Sequence, residues 1–229
     1  MPNMKTINFI LLLSLVSFSC KKNNSSTITN SVTSSDIYVA GHEYHGTHYV
    51  AKVWKNGIAT NLTNGSTNAY AYSVFVIHSD VYIAGVEETG ANLIAKIWKN
   101  GVATSLTNGS TYSSVNSVYV SGSDVYATGF ETVSNIKVAK LWKNGVATSL
   151  TNGLNNAIGW SIYISGSDVY VAGNESNGAF GVAKLWKNGV ATSLTNGLNN
   201  AAATSVYISG TDVYVAGLEF NGTCFVAKV

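Results

Sequence analysis

The sequence predicts an all-β protein made of repeated four-stranded antiparallel sheets. The first observation behind this prediction is a period of 44 residues, which begins at Asp36 and continues to the last residue. The second is that each period contains short runs rich in Val, Ile, Tyr and Thr, separated by turn signals such as Asn-Gly and Gly-Ser-Asp. A fixed period of this size, filled with short strands, is typical of the blades of a β-propeller. The residues that recur at this spacing include Trp54, Trp98, Trp142 and Trp186; Asp36, Asp80, Asp124, Asp168 and Asp212; and Glu43, Glu87, Glu131, Glu175 and Glu219.

Four strands can be assigned in each unit, and the fourth unit shows them in order. Residues 161–166 (SIYISG) form strand a, 168–173 (DVYVAG) strand b, 182–188 (VAKLWKN) strand c and 190–194 (VATSL) strand d. Their β-branched and aromatic residues favour a pleated, half-buried surface. The only proline is at position 2, so no predicted strand is interrupted.

The number of blades follows from where the pattern starts and stops. It enters at strand b (Asp36) and ends within strand c (Val229), which gives eighteen strands. We expect about five quasi-blades, which form an open or loosely closed ring. The alternative is a four-bladed ring, in which strand a at 205–210 completes the first unit and a b–c hairpin is left over. Five are favoured because a spare hairpin would expose unpaired sheet edges.

Two stretches resemble known propeller blades. The order of the strands resembles that of NHL-type and kelch-type blades. Residues 117–129 (SVYVSGSDVYATG) resemble the a–b hairpin of NHL-like blades, and 138–145 (VAKLWKNG) resemble their strand c and c–d turn. The resemblance covers residues 36–229 and implies that strand a is innermost, at the channel. It rests on general features of blades, so no family's binding residues are carried over.

Residues 1–20 are predicted to be a signal peptide. Lys5 precedes an apolar run at 7–16 that is too short to span a bilayer. The run leads into S-F-S-C, which resembles the lipobox of bacterial lipoproteins of the Bacteroidetes type. This resemblance implies cleavage before Cys20, acylation of Cys20 (as by palmitate) and attachment to the outer membrane, on its periplasmic or surface face. The alternative is an ordinary secretory signal cut near Ser19. Residues 21–35 are polar and predict a flexible tether.

Composition excludes nucleic acid as a ligand. The repeat region, residues 36–229, has ten lysines, eleven acidic residues and no arginine, a net charge of −1. Binding to phosphates needs clustered basic residues. Cys224 would have no disulfide partner if Cys20 is acylated. No P-loop, nucleophile elbow or other catalytic motif is present, so neither an enzymatic activity nor a cofactor is predicted.

Three repeated series are predicted to have structural roles. One tryptophan per blade would fill the gap between neighbouring sheets. A lysine on strand c would pair with a glutamate that follows strand b, in its own or the adjacent blade, because a half-buried lysine needs a partner. These residues are Trp54, Trp98, Trp142 and Trp186; Lys52, Lys96, Lys140, Lys184 and Lys228; and Glu43, Glu87, Glu131, Glu175 and Glu219.

Differences between units are more informative about binding than similarities. Residues 141–157 and 185–201 are identical, which indicates recent duplication. The b–c loops differ between units, and so do the links from strand d to strand a. Since strand a is expected at the channel, aromatic and amide residues in these links should surround one mouth of it. The candidate ligand-binding residues are Asn68, Tyr70, Tyr72, Tyr112, Asn116 and Trp160. Drift in exposed loops is the competing explanation.

The three histidines His42, His45 and His48 form a second candidate site. Their spacing in one loop could bring two or three imidazoles onto a metal ion, with Glu43 adjacent. Other units lack them, and alternation along a strand would point His42 and His45 to opposite faces.

The sequence therefore favours a non-enzymatic, lipid-anchored envelope protein that binds a glycan or another protein at the propeller mouth. One alternative is a propeller hydrolase or lyase that uses the non-repeated Glu88 or the histidines. Another is a truncated or newly amplified repeat protein without a specific ligand. A homo-oligomer that closes the ring is a further expected partner arrangement.

Overall fold

The computed structural model describes residues 36–229 as a β-propeller of five successive antiparallel sheets. The predicted signal peptide, Cys20 and the tether lie outside the described residues. Within residues 36–229 there is no helix, and therefore none that could cross a membrane. The strands are β1 Tyr38–His45, β2 His48–Lys55 and β3 Ile58–Asn61; β4 Ala69–Ile77, β5 Asp80–Thr89, β6 Asn92–Lys99 and β7 Val102–Ser105; β8 Ser113–Ser121, β9 Asp124–Val133, β10 Ile136–Lys143 and β11 Val146–Ser149; β12 Ala157–Ser165, β13 Asp168–Ser176, β14 Gly181–Lys187 and β15 Val190–Ser193; and β16 Ala201–Ser209, β17 Asp212–Phe220 and β18 Phe225–Lys228.

The prediction of five quasi-blades with incomplete ends is confirmed. The second, third and fourth sheets each contain strands a, b, c and d in order, the first contains b, c and d, and the fifth a, b and c. Strand β16 pairs with β17 rather than joining the first sheet, so the four-bladed alternative is wrong.

Strands a and b are longer than the sequence pattern suggested. In the fourth sheet, strand a begins at Ala157 rather than at residue 161, and strand b continues to Ser176. The added stretch of strand a, Ala-Ile-Gly-Trp, lacks the alternation that marks the rest of the strand. Its pairing register also shifts between Gly159 and Ser161. A strand is recognised in a sequence by two-residue alternation. A register shift interrupts that alternation, because the residues after it change faces.

The c–d turns explain why Asp and Lys-Asn-Gly recur together. At Asn188-Gly189 both φ angles are positive, 51° and 83°, as a tight two-residue hairpin requires. The Asn188 side chain accepts a hydrogen bond from the Val169 amide and donates one to Asp168, each at 2.8 Å. Lys187 lies 2.8 Å from the same carboxylate, and the two partners hold the pKa of Asp168 below its ordinary value. This cluster of Asp168, Lys187 and Asn188 thus links the c–d turn to the start of strand b.

Three of the four repeat tryptophans fill the space between consecutive sheets, as predicted, whereas Trp54 is only half-buried. Trp98, Trp142 and Trp186 are 0%, 1% and 0% exposed. Trp142 of the third sheet packs with Ala95 and Ile97 of the second sheet. At Gly173 an added Cβ would lie 2.1 Å from the Ile158 carbonyl oxygen and 2.8 Å from the Trp186 ring, so glycine allows both strand a and the indole to lie close to strand b. The small residues of one strand therefore form the slot that the indole of another occupies.

The interface between the fourth and fifth sheets contains a cavity. No repeat tryptophan enters this interface from residues 36–229. The repeat counterparts of the residues around Trp142 instead line a cavity of about 500 Å³. They include Ala183, Leu185, Leu194, Ala203 and Val215. At this interface the described fifth sheet has neither the indole nor a strand d.

The ends of the series of sheets are exposed. Tyr214 in strand b of the fifth sheet is 48% exposed, whereas its counterparts Tyr82, Tyr126 and Tyr170 are 7%, 9% and 7% exposed. Trp54 of the first sheet is only half-buried. The far face of the fifth sheet is thus not covered by another sheet of the described region, consistent with an open arrangement.

The predicted lysine–glutamate pairs are confirmed, and each lies within one sheet. The lysine is on strand c and the glutamate on the neighbouring strand b. Lys140–Glu131, Lys184–Glu175 and Lys228–Glu219 are separated by 3.6, 3.4 and 3.5 Å, and Lys52–Glu43 and Lys96–Glu87 are also in contact. Pairing removes the cost of leaving a partly buried lysine without a counter-charge.

Replacing Trp142 with alanine should lower the free energy of unfolding by about 3–5 kcal/mol, since a fully buried indole leaves a cavity that its neighbours cannot fill. Denaturant unfolding of the protein would measure this. Trp54→Ala is the matched control, because Trp54 occupies the same repeat position but is half-buried, and its loss should be clearly smaller. Equal losses would contradict the assigned role.

Candidate functional site

Each complete strand a contains one bulge at the same repeat position. The pairing register shifts between Ala71 and Ser73 in β4, and the same shift recurs in β8, β12 and β16. The extra residue at a bulge does not pair with the neighbouring strand, and its side chain is redirected. The four extra residues differ from one another: Tyr72, Asn116, Trp160 and Thr204.

Serines beside the bulges hold neighbouring strands a together. Ser73 Oγ accepts a hydrogen bond from the Val118 amide of the next strand a at 3.3 Å. Ser117 and Ser161 accept the corresponding bonds from Ile162 and Val206, at 3.3 and 3.2 Å. Because each serine follows a bulge residue directly, these bonds set the spacing between bulge residues of consecutive sheets.

The four bulge residues line one cavity of about 470 Å³, here called the mouth cavity. Tyr112, Ser114, Phe130, Lys137 and Ile158 complete its lining. The structure thus brings together four of the predicted ligand-binding residues: Tyr72, Tyr112, Asn116 and Trp160.

The other two predicted residues line a neighbouring cavity of about 350 Å³, here called the side cavity. Asn68 and Tyr70 lie there with Glu88, and Tyr72 and Tyr112 line both cavities. All six candidates therefore belong to one continuous region of the molecule.

Hydrogen bonds fix the polar groups of the mouth cavity. Ser114 Oγ donates to Asn116 Oδ1 at 2.8 Å, and Asn116 Nδ2 donates to the Gly159 carbonyl at 2.9 Å. The Trp160 indole N–H donates to Asn174 Oδ1 at 2.8 Å. A primary amide has two N–H donors and two acceptor lone pairs, so Asn116 keeps capacity for a ligand after these bonds are made.

The aromatic rings of the mouth cavity are ordered by stacking yet remain partly open to solvent. Tyr70 and Tyr72 are nearly parallel, at 7°, with ring centroids 6.4 Å apart. Tyr112 stacks on Phe130 at 5.8 Å. Tyr72, Tyr112 and Trp160 are 45%, 42% and 38% exposed. Held in place on one side, these rings can accept a flat apolar group on the other.

Partial burial raises the pKa of Tyr72 to about 12, with smaller contributions from Tyr112 and Tyr70. Burial also raises the pKa of Tyr70, and Tyr49 and Glu88 add to the effect. Both phenols therefore stay protonated near neutral pH and can donate hydrogen bonds.

Two charged side chains outside the repeated positions occur here. Lys137 lines the mouth cavity, with its Nζ 4.8 Å from the centroid of the Phe130 ring. Glu88 lines the side cavity, where its Oε2 accepts a hydrogen bond from Asn68 Nδ2 at 2.7 Å. The only charges that break the repeat in residues 36–229 thus face the same region.

Five residues that line the mouth cavity were not identified from the sequence. Ser114, Phe130, Lys137, Ile158 and Thr204 were not among the predicted ligand-binding residues. Four of them carried a usable signal. Thr204 is the repeat counterpart of Tyr72, Ser114 and Ile158 are counterparts of Tyr70, and Lys137 departs from the repeated charges. Phe130 had no such signal, because its position depends on how strands a and b pair.

The three histidines do not assemble into a metal site. His45 and His48 face each other across the β1–β2 hairpin, whereas His42 packs edge-on against Tyr49 and Tyr70. No group of three His, Cys, Asp or Glu side chains in the described region could hold a metal ion. The β1–β2 hairpin is regular and separates His42 from the other two, as the alternation along a strand predicted. Cys224 is exposed and free.

No protein-family model matches the chain, and no curated protein does. Among solved structures, it is similar to an acylaminoacyl peptidase from Pyrococcus horikoshii, with 14% identity and a TM-score of 0.45 over 80% of this chain and 31% of that one. The chain spans about a third of that peptidase's length. It is also similar to a putative TolB from Agrobacterium tumefaciens, with 13% identity and a TM-score of 0.44 over 84% and 80% of the two chains. Identities this low say nothing about a shared activity.

The raised pKa of Tyr72 predicts a specific alkaline behaviour. The folded state favours the protonated phenol, so this contribution to stability is complete below about pH 10 and is lost as the pH rises towards about 12. In Tyr72→Phe, the decrease in free energy of unfolding over that window should be smaller, and an ultraviolet titration should lose its component near pH 12. An unchanged titration would contradict the assignment.

Proposed function

We propose that this protein is a non-enzymatic binding module whose ligand is a glycan, held at the mouth cavity. The observation that carries the proposal is the lining itself. Tyr72, Tyr112 and Trp160 present partly open rings beside the fixed polar groups of Asn116 and Ser114, around one cavity of about 470 Å³.

A sugar ring matches this arrangement chemically. It has an apolar face of C–H groups, which stacks on an aromatic ring, and a rim of hydroxyl groups, which exchange hydrogen bonds with amides and hydroxyls. Binding sites of this kind are mostly apolar, with few polar groups that set orientation. Because stacking and hydrogen bonding already fix the lining, little conformational entropy is lost on binding.

The lining favours binding over hydrolysis. Most glycoside hydrolases use two carboxylates on either side of the scissile bond. The lining of the mouth cavity contains no carboxylate, histidine or cysteine, and Lys137 is its single charged group. Glu88 lies in the side cavity, with a hydrogen bond to Asn68.

The N-terminal sequence would place this module at the cell envelope. In this proposal a lipid on Cys20 anchors the protein to the outer membrane, and residues 21–35 connect the anchor to the propeller. Support comes from the sequence alone.

Glycan-array screening followed by calorimetry would test the proposal. We expect binding to at least one envelope or environmental polysaccharide. Removing each aromatic ring, by Tyr72→Ala or Trp160→Ala, should weaken it roughly two- to tenfold. Tyr214→Ala is the matched control, because Tyr214 is equally exposed but lies on strand b of the fifth sheet.

Two results would overturn the proposal. One is the absence of any glycan ligand. The other is a ligand, glycan or protein, that binds the double variant Tyr72→Ala, Trp160→Ala as tightly as the unmodified protein.

A further inference from the structure

The lysines of the described region are paired with acids, with one exception. Ion pairs join nine of them to aspartate or glutamate. Lys137 is the exception: no carboxylate in residues 36–229 lies within ion-pair distance of it. Its counterparts in the other units are Tyr49, Leu93, Gly181 and Phe225, so the charge appears only once at this repeat position.

Lys137 is positioned as part of the mouth cavity rather than as a free surface group. It is half-buried near the start of β10, and its backbone amide donates to Asn156 Oδ1 at 2.9 Å. Its ammonium lies 4.8 Å from the centroid of the Phe130 ring, which in turn stacks on Tyr112. The backbone bond fixes the start of the side chain, and the contact with the Phe130 ring keeps the ammonium beside the aromatic lining.

The cavity leaves this charge uncompensated. A half-buried cation loses hydration, and an anionic partner offsets the loss. The other groups around the cavity are phenols, hydroxyls, an amide and apolar side chains. The acid of this region, Glu88, lines the side cavity. The charged side chain of the mouth cavity is therefore positive and that of the side cavity negative.

We infer that the ligand of the mouth cavity is an acidic glycan, whose carboxylate pairs with Lys137 while its sugar rings stack on the aromatic lining. This inference rests on the proposed function and specifies its ligand class. A uronic acid supplies both features in one residue: a carboxylate on the ring's edge and an apolar face. The acidic side cavity opposes a second carboxylate at that end, which gives the bound chain a direction.

The experiment compares acidic polysaccharides with their own neutral forms. Oligogalacturonides, alginate and hyaluronan are assayed by calorimetry beside the same samples after carboxyl reduction, which converts each carboxylate to a hydroxymethyl group. The unmodified protein should bind at least one acidic form roughly tenfold or more tightly than its reduced form, the scale of a hydrogen bond to a charged group. Raising the salt concentration should narrow this difference.

Substitutions then assign the preference to one side chain. Lys137→Gln should abolish the preference for the acidic form while leaving binding of the reduced form in place, and Lys137→Arg should retain it. Lys143→Gln is the matched control, since Lys143 is on the same strand but pairs with Asp124.

The outcomes separate this inference from the proposed function. Equal binding of acidic and reduced forms, or a preference that survives Lys137→Gln, overturns the inference and leaves glycan binding intact. Preference for sulfated over carboxylated glycans would replace the uronate with a sulfate ester as the partner of Lys137 and overturn the uronate assignment. Failure of every polysaccharide to bind overturns both proposals.

Discussion

The structure depends on the packing of consecutive sheets, which at three of the four interfaces of the described region is made through a buried tryptophan. A sheet of three or four short strands is apolar on both faces and is not expected to be stable alone. The indole of one sheet fills a slot of small and aliphatic residues contributed by two sheets, as Trp142 does between the second and third. Where the described chain supplies no such indole, between the fourth and fifth sheets, a cavity of about 500 Å³ is found. This contact, repeated at three interfaces, joins the first four sheets, and the fifth packs on the fourth through aliphatic residues and Tyr170.

The candidate site is a consequence of this packing. Residues far apart in sequence meet at the mouth because the strands a of consecutive sheets are held side by side. Serines beside the bulges set their spacing, and the bulges direct the side chains. The repeated residues thereby build a uniform scaffold, while the variable bulge positions carry Tyr72, Asn116, Trp160 and Thr204 into one cavity. Duplication preserves the first set and leaves the second free to diverge.

Sequence reasoning succeeded where one repeat unit contains the whole signal. The strand order, the turns and the lysine–glutamate pairs follow from spacing within a unit, and the buried tryptophans from their recurrence between units. Sequence reasoning failed where the position of a residue depends on the register in which two strands pair. The bulge at Trp160 interrupts alternation, so strand a was predicted to begin four residues later than it does. Lys137 and Phe130 reach the cavity through pairing between strands, which no local pattern reveals. For the histidines, short spacing in the chain suggested proximity that the regular hairpin does not allow.

Native-state amide hydrogen exchange on Trp142→Ala tests the dependence of one sheet on another most directly. Local opening is reported residue by residue in such a measurement. If sheets are stable only through their shared indole, protection should fall in both the second and third sheets, and especially in β6 and β8 on the two sides of the interface. Loss of protection confined to the third sheet, which carries the substitution, would contradict this account.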